Sequence, residues 1–101
     1  MQSKIKNNHY LSQRVMSATP DELISYIYDV AIAGCGNNDS IKAGNAVREL
    51  MKSLNFEYKE VALTFYNVYR YINSNIIKGN FSHAREVLVD LKTTWDKAMK
   101  T

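Results

Sequence analysis

From residue 19 onward, apolar residues recur every three or four positions, the spacing of one face of an α-helix. The first stripe is Leu23, Ile24, Ile27, Tyr28 and Ala31. It opens at Thr19-Pro20-Asp21-Glu22, where Thr19 suits an N-cap, Pro20 the first helical position and Glu22 the third position of a capping box. Gly34, Gly36, Asn37 and Asn38 end it. A second stripe follows as Ala43, Ala46, Val47, Leu50, Met51 and Leu54, and Asn55 breaks it. The third is Tyr58, Val61, Ala62, Phe65, Val68, Tyr69, Ile72 and Ile76, with Gly79 placed as a left-handed C′ residue. The fourth is Ala84, Val87, Leu88, Leu91, Trp95 and Ala98. The spacing predicts helices over about 20–35, 39–54, 56–78 and 82–99.

Four amphipathic helices with short links predict an all-α, antiparallel, up-down four-helix bundle. Residues 1–18 read as a basic arm and lead-in whose Tyr10, Leu11, Val15 and Met16 can pack on the body. The third helix, at about 23 residues or roughly 34 Å, should overhang the first two, and an overhang leaves apolar groove open for a partner helix.

Composition narrows the function. At 101 residues the chain has room for one domain. A single Cys excludes an internal disulfide framework and a cysteine-based zinc site. No apolar run nears the roughly 18 residues of a membrane span, and the start lacks the apolar stretch of a secretory signal, so a cytoplasmic protein without membrane insertion is expected. The net charge of +3 resides in residues 1–20, which hold Lys4, Lys6 and Arg14 and no acid. The balanced remainder suits nucleic acid poorly. His9 and His83 have no metal-ligand spacing, no phosphate-cradling glycine loop occurs, and the acids stand singly. The expectation is a non-enzyme with no cofactor and no metal.

The unusual feature is apolar surplus. Tyr58, Tyr66, Tyr69 and Tyr71 crowd the third helix, and Leu63, Tyr66 and Ile77 form a second line beside its main stripe. Tyr26, Val30 and Ala33 do the same on the first helix. A helix apolar on two sides is central in a bundle or carries a partner site.

The ordered set T-P-D-E-L (19–23), I-Y-D (27–29), E-L-M-K-S-L-N (49–55), Y-R-Y-I-N-S-N-I-I-K-G-N (69–80) and T-W-D-K-A (94–98), with Tyr10 and Val15 ahead of it, resembles the FliS family of flagellar export chaperones. The likeness spans residues 10–100 and implies a shortened member, lacking about three or four helical turns between Tyr28 and Glu49. It implies a cytoplasmic bundle that binds the C-terminal segment of flagellin, or of a flagellin-like secreted subunit, prevents premature polymerisation and helps present the client to the flagellar export gate. On that reading Tyr10 and Val15 form a gate segment. Ile24, Ile27 and Tyr28, then Val47, Leu50, Met51 and Leu54, then Tyr66, Tyr69 and Ile77 are the expected groove walls. A second reading makes the chain a structural or regulatory homo-oligomeric bundle with no secreted client, a homodimer for instance, that buries the extra stripes between copies. A third, a nucleic-acid binder using the basic arm, is the weakest.

Overall fold

The computed structural model describes residues 19–100. Tyr10, Val15 and the arm assigned to residues 1–18 lie outside the described residues. Four helices follow one another: α1 (Pro20–Gly36), α2 (Ser40–Lys52), α3 (Lys59–Ile77) and α4 (Phe81–Lys100). Each packs mainly against its neighbours in a ring, α1 on α2, α2 on α3, α3 on α4 and α4 back on α1. On the α1–α4 seam Ser25 meets Asp96, Asp29 meets Lys92, and Gly36 faces Arg85. Partners on α4 descend as those on α1 ascend, so the two run antiparallel. The all-α up-down bundle expected from the periodicity is the observed fold.

Helix ends follow local chemistry. The Thr19 hydroxyl accepts from the Glu22 N–H at 3.2 Å and donates to the Glu22 carboxylate at 3.1 Å. Acids at Asp21 and Glu22 favour the positive end of the α1 dipole. At the far end of α1, Asn38 takes a positive φ of 54°. The Asp39 N–H then donates to Gly34 O at 2.8 Å, and the Asn38 N–H to Cys35 O at 3.1 Å. This double bond pattern is a Schellman motif. The Asp39 carboxylate also accepts from the Lys42 N–H at 3.0 Å and so caps α2. One residue thus closes α1 and opens α2. Gly79, at φ 81°, repeats the motif after α3, with Asn80 N–H donating to Asn75 O at 2.8 Å and Gly79 N–H to Ile76 O at 3.1 Å.

The core is built from Tyr28, Ala31, Cys35, Ala43, Ala46, Val47, Leu50, Tyr69, Ile72, Ile76, Ala84 and Leu88. Between α1 and α2 it is made of small side chains because the backbones approach closely. A Cβ on Gly34 would lie 2.7 Å from the Ala43 nitrogen, so only glycine fits there. The diagonal between α1 and α3 is spanned by Tyr28 and Tyr69, whose hydroxyls are 2.7 Å apart and buried. Asn75, the buried polar residue of α3, donates to Tyr71 O at 2.9 Å and accepts from the Asn80 side chain at 3.3 Å.

Two boundaries differ from the periodicity. Helix α2 ends at Lys52 rather than 54, because the Ser53 hydroxyl bonds Leu50 O at 2.7 Å and competes with helix continuation. Helix α3 begins at Lys59 rather than 56. Asn55 accepts from the Glu57 N–H through its side chain at 3.0 Å and from the Tyr58 N–H through its carbonyl at 3.2 Å, closing a turn first. The overhang of α3 on α2 lies at one end only. Gly44 on α2 faces Asn73 on α3, so antiparallel register sets Ser40 level with Ile77 and Lys52 beside Phe65. The start of α2 and the end of α3 are therefore flush. At the other end α3 runs on past the end of α2 by about six residues, or roughly 9 Å at 1.5 Å per residue.

Candidate functional site

That shortfall of α2 creates a cleft. Where α2 would continue, the chain instead crosses through the link at residues 53–58. A cleft of about 290 Å³ opens there, lined by Ile24 of α1, Ser53, Leu54, Asn55 and Tyr58 of the link, Val61, Ala62, Phe65 and Tyr69 of α3, and Trp95 of α4. No charged side chain lines it. Its rim stands in solvent: Tyr58 is 68% exposed and Val61 59%. Phe56 and Leu63 continue the exposed apolar surface, and the Phe56 ring meets that of Tyr66 edge-on at 6.4 Å.

Its back wall is hydrogen-bonded to the body of the bundle. Tyr69 is held by its hydroxyl bond to Tyr28 and by a tilted contact with Phe65 at 6.1 Å. Burial pushes both phenols above their ordinary range, and the bond to Tyr69 raises Tyr28 further. Neither ionises near neutral pH, so the wall stays uncharged. Trp95 is fixed by its indole N–H, which donates to Asp21 O at 3.3 Å. Beside it Lys92 bridges Asp29 at 2.6 Å and Asp96 at 3.8 Å, and the Asp29 bond raises the lysine's affinity for its proton.

A second cleft, of about 510 Å³, runs between α1 and α2. Ile27, Val30 and Ala46 form its apolar part, and Lys42, Asn45, Arg48, Glu49 and Lys52 its α2 rim. It adjoins the first, since Ile24 and Ile27 are one turn apart on α1 and Lys52 is followed by Ser53 and Leu54. A third cleft, between α1 and α4, is lined by Thr19, Asp21, Glu22, Ser25, Trp95, Asp96 and Met99.

The expected groove residues scatter accordingly. Ile24, Leu54 and Tyr69 line the open-end cleft, and Ile27 lines the α1–α2 cleft. Tyr28, Val47 and Leu50 are buried in the core, and Met51 packs partly buried against it. Tyr66 is half-buried against Phe56. Ile77 stands 77% exposed at the opposite end, near the 74% exposed Ile41 of α2. The lining residues not singled out from sequence are Ser53, Asn55, Tyr58, Val61, Ala62, Phe65 and Trp95. Four of them, Tyr58, Val61, Ala62 and Phe65, belong to the third apolar stripe of the sequence, which reads as core until one sees that α2 does not reach it. Ser53 and Asn55, both poor helix formers, were the available signal.

Buried Cys35 has its thiol pushed up by burial, offset in part by Arg85, which leaves it an unreactive packing group. Among the described residues no cluster of three or more His, Cys, Asp or Glu is placed to hold a metal ion. No described helix is long and apolar enough to cross a membrane.

Two of the three comparisons, those with curated proteins and with solved structures, yield no significant match. The family model for the flagellar protein FliS matches residues 35–101, from the last turn of α1 through α4. The motifs at 19–29 precede that stretch, whereas E-L-M-K-S-L-N, the tyrosine-rich α3 and T-W-D-K-A all fall within it. With two-thirds of its length so matched, and folded as a four-helix bundle, the chain belongs to the FliS family, the flagellar export chaperones.

Proposed function

We propose that this chain binds the C-terminal segment of flagellin, or of a flagellin-like secreted subunit, keeps it from polymerising prematurely, and hands it on for export. The observation that carries the reading is an uncharged apolar cleft with an exposed rim in a member of this family. Such a cleft offers hydrophobic burial to an apolar helix face and no charge that would need a partner. Trp95, Phe65 and Tyr69 are large, well-anchored surfaces of the kind that dominate interface energy. The client orders as it binds, so affinity per unit area is modest. Tyr10 and Val15 act as a gate: they precede Thr19, where α1 begins beside the cleft, and they cover it until a client arrives.

Titration calorimetry with a flagellin C-terminal peptide tests this. Binding should carry a negative heat-capacity change and a gain in helical circular dichroism. Absence of binding at about 100 μM, within the range of weak recognition, removes the reading. Deleting residues 1–18 should tighten binding if the gate is real, and unchanged affinity removes the gate.

A further inference from the structure

The α1–α2 cleft differs in chemistry from the open-end cleft beside it. Its apolar part is Ile27, Val30 and Ala46, but its α2 rim carries Lys42, Arg48 and Lys52 against the single acid Glu49. Glu49 is taken up by Lys52 at 3.4 Å, a solvent-exposed pair. Arg48 bonds Asn45, a neutral amide. Neither the Lys42 side chain nor Arg48 has a carboxylate partner among the described residues. Of the acids on α1, Asp29 is engaged by Lys92 on the α4 side, so the α1 wall neutralises nothing here.

Lys42 is also out of place by the rules of helix construction. It stands at the third position of α2, just where Asp39 has capped the helix. A carboxylate there would complete a capping box and favour the dipole, whereas a lysine opposes it. The first turn of α2 contains no acid at all. A local rule broken without local compensation marks a position kept for another purpose.

We propose that the α1–α2 cleft is a second docking site for the same secreted client, and that it takes an amphipathic helix edged with carboxylates. Resting on the function proposed above, this assigns a client chemistry that the uncharged cleft does not specify. The apolar face of the helix lies on Ile27, Val30 and Ala46. Its acidic edge meets Lys42 and Arg48, which lie about 9 Å apart along α2, the span of carboxylates nearly two turns apart. Because the two clefts adjoin, one segment can leave the open-end cleft between Ile24 and Leu54 and continue along α1 and α2. A groove with mixed apolar and cationic lining suits a peptide helix better than a polyanion, for which two unpaired cations are too few.

The test uses the full chain and two synthetic amphipathic peptides with the same apolar face, one edged with Glu and one with Lys, alongside a flagellin C-terminal peptide. The Glu-edged peptide should bind, with shifts of the Ile27, Val30 and Ala46 methyl resonances, and its affinity should fall as salt rises. The Lys-edged peptide should not. In the Lys42→Glu/Arg48→Glu variant the Glu-edged peptide should lose at least about tenfold in affinity, together with its salt dependence. Both side chains are exposed, and Glu at position 42 suits the helix start, so the variant should melt at or above the parent temperature. Equal binding of both peptides, or binding unaltered in the variant, overturns the proposal. If the flagellin peptide binds the variant and the parent alike, this second site fails while the proposed function stands. If the Glu-edged peptide binds as expected and the flagellin peptide does not bind at all, the cleft is real and the client assignment fails.

Discussion

Three residues join α1 to α2 and three join α3 to α4, whereas six join α2 to α3, and the difference separates a sealed end of the bundle from an open one. At the sealed end each turn is a Schellman motif, and Asp39 and Asn80 tie one helix to the next. At the open end α3 starts at Lys59, its N-cap Tyr58 makes no side-chain cap bond, and Tyr58 and Val61 stand exposed. The sealed end spends its residues on satisfying backbone groups. Among the described residues the open end sets the exposed Tyr58 and Val61 around an uncharged cleft. The satisfied helix turns and the uncharged cleft therefore lie at opposite ends of the same helices.

The comparison can be broken by substitution. Gly34→Ala, near the sealed end, should show the largest effect, because the new methyl group meets backbone rather than a movable side chain. A loss of about 2–3 kcal/mol in urea unfolding is expected. An unchanged midpoint would show that α1 and α2 can move apart freely.

Midway along the bundle, Tyr28→Phe should strand the buried Tyr69 hydroxyl and cost about 1–3 kcal/mol. Replacing both tyrosines by Phe should cost less than twice that, since it removes both hydroxyls together. The pH dependence has a definite sign. In the unfolded chain the phenols lose their protons around the ordinary value of 10.0, and in the fold only above it. The unfolded state thus binds fewer protons as pH rises past that value, so stability is constant below it and falls above it. The double Phe variant should flatten that alkaline fall, as read by denaturation at increasing pH.

Caps at the sealed end should matter less. Asp39→Ala should cost about 1 kcal/mol through loss of the α2 cap. Gly79→Ala should cost roughly 1–2 kcal/mol through the left-handed backbone alone, because nothing lies near enough to clash. The smallest effect on stability belongs to the open end. Val61→Ser should change the unfolding free energy by no more than about 0.5 kcal/mol, while weakening the flagellin peptide about tenfold by calorimetry. If Val61→Ser destabilises the fold as much as Gly34→Ala, the division between the two ends fails.

The sealed end was the more legible in sequence. Gly34 through Asn38 and Gly79 are residues whose backbone freedom announces a turn, and Thr19-Pro20-Asp21-Glu22 announces a start. The open end hid itself because periodicity records which face of a helix is apolar and is blind to whether anything covers it. Tyr58, Val61 and Phe65 have the spacing of core residues and line a cleft. Ile77 has the spacing of a partner site and lies at the sealed end. Ser53 and Asn55 decided the matter through two short-range hydrogen bonds that shorten α2, and such competition between side chain and backbone is decided by tenths of a kcal/mol. The cationic rim of the α1–α2 cleft was visible only as scattered Lys and Arg until Asp29 was seen to turn toward Lys92.

The double duty of Asp39 has a bearing on how the protein comes into being. Since one residue finishes α1 and begins α2, that hairpin is a local unit, complete once residue 52 has been synthesised. Trp95, by contrast, is the last wall of the open-end cleft in chain order. During translation the hinge of small residues is therefore in place well before the uncharged cleft, whose last wall arrives only near the finish.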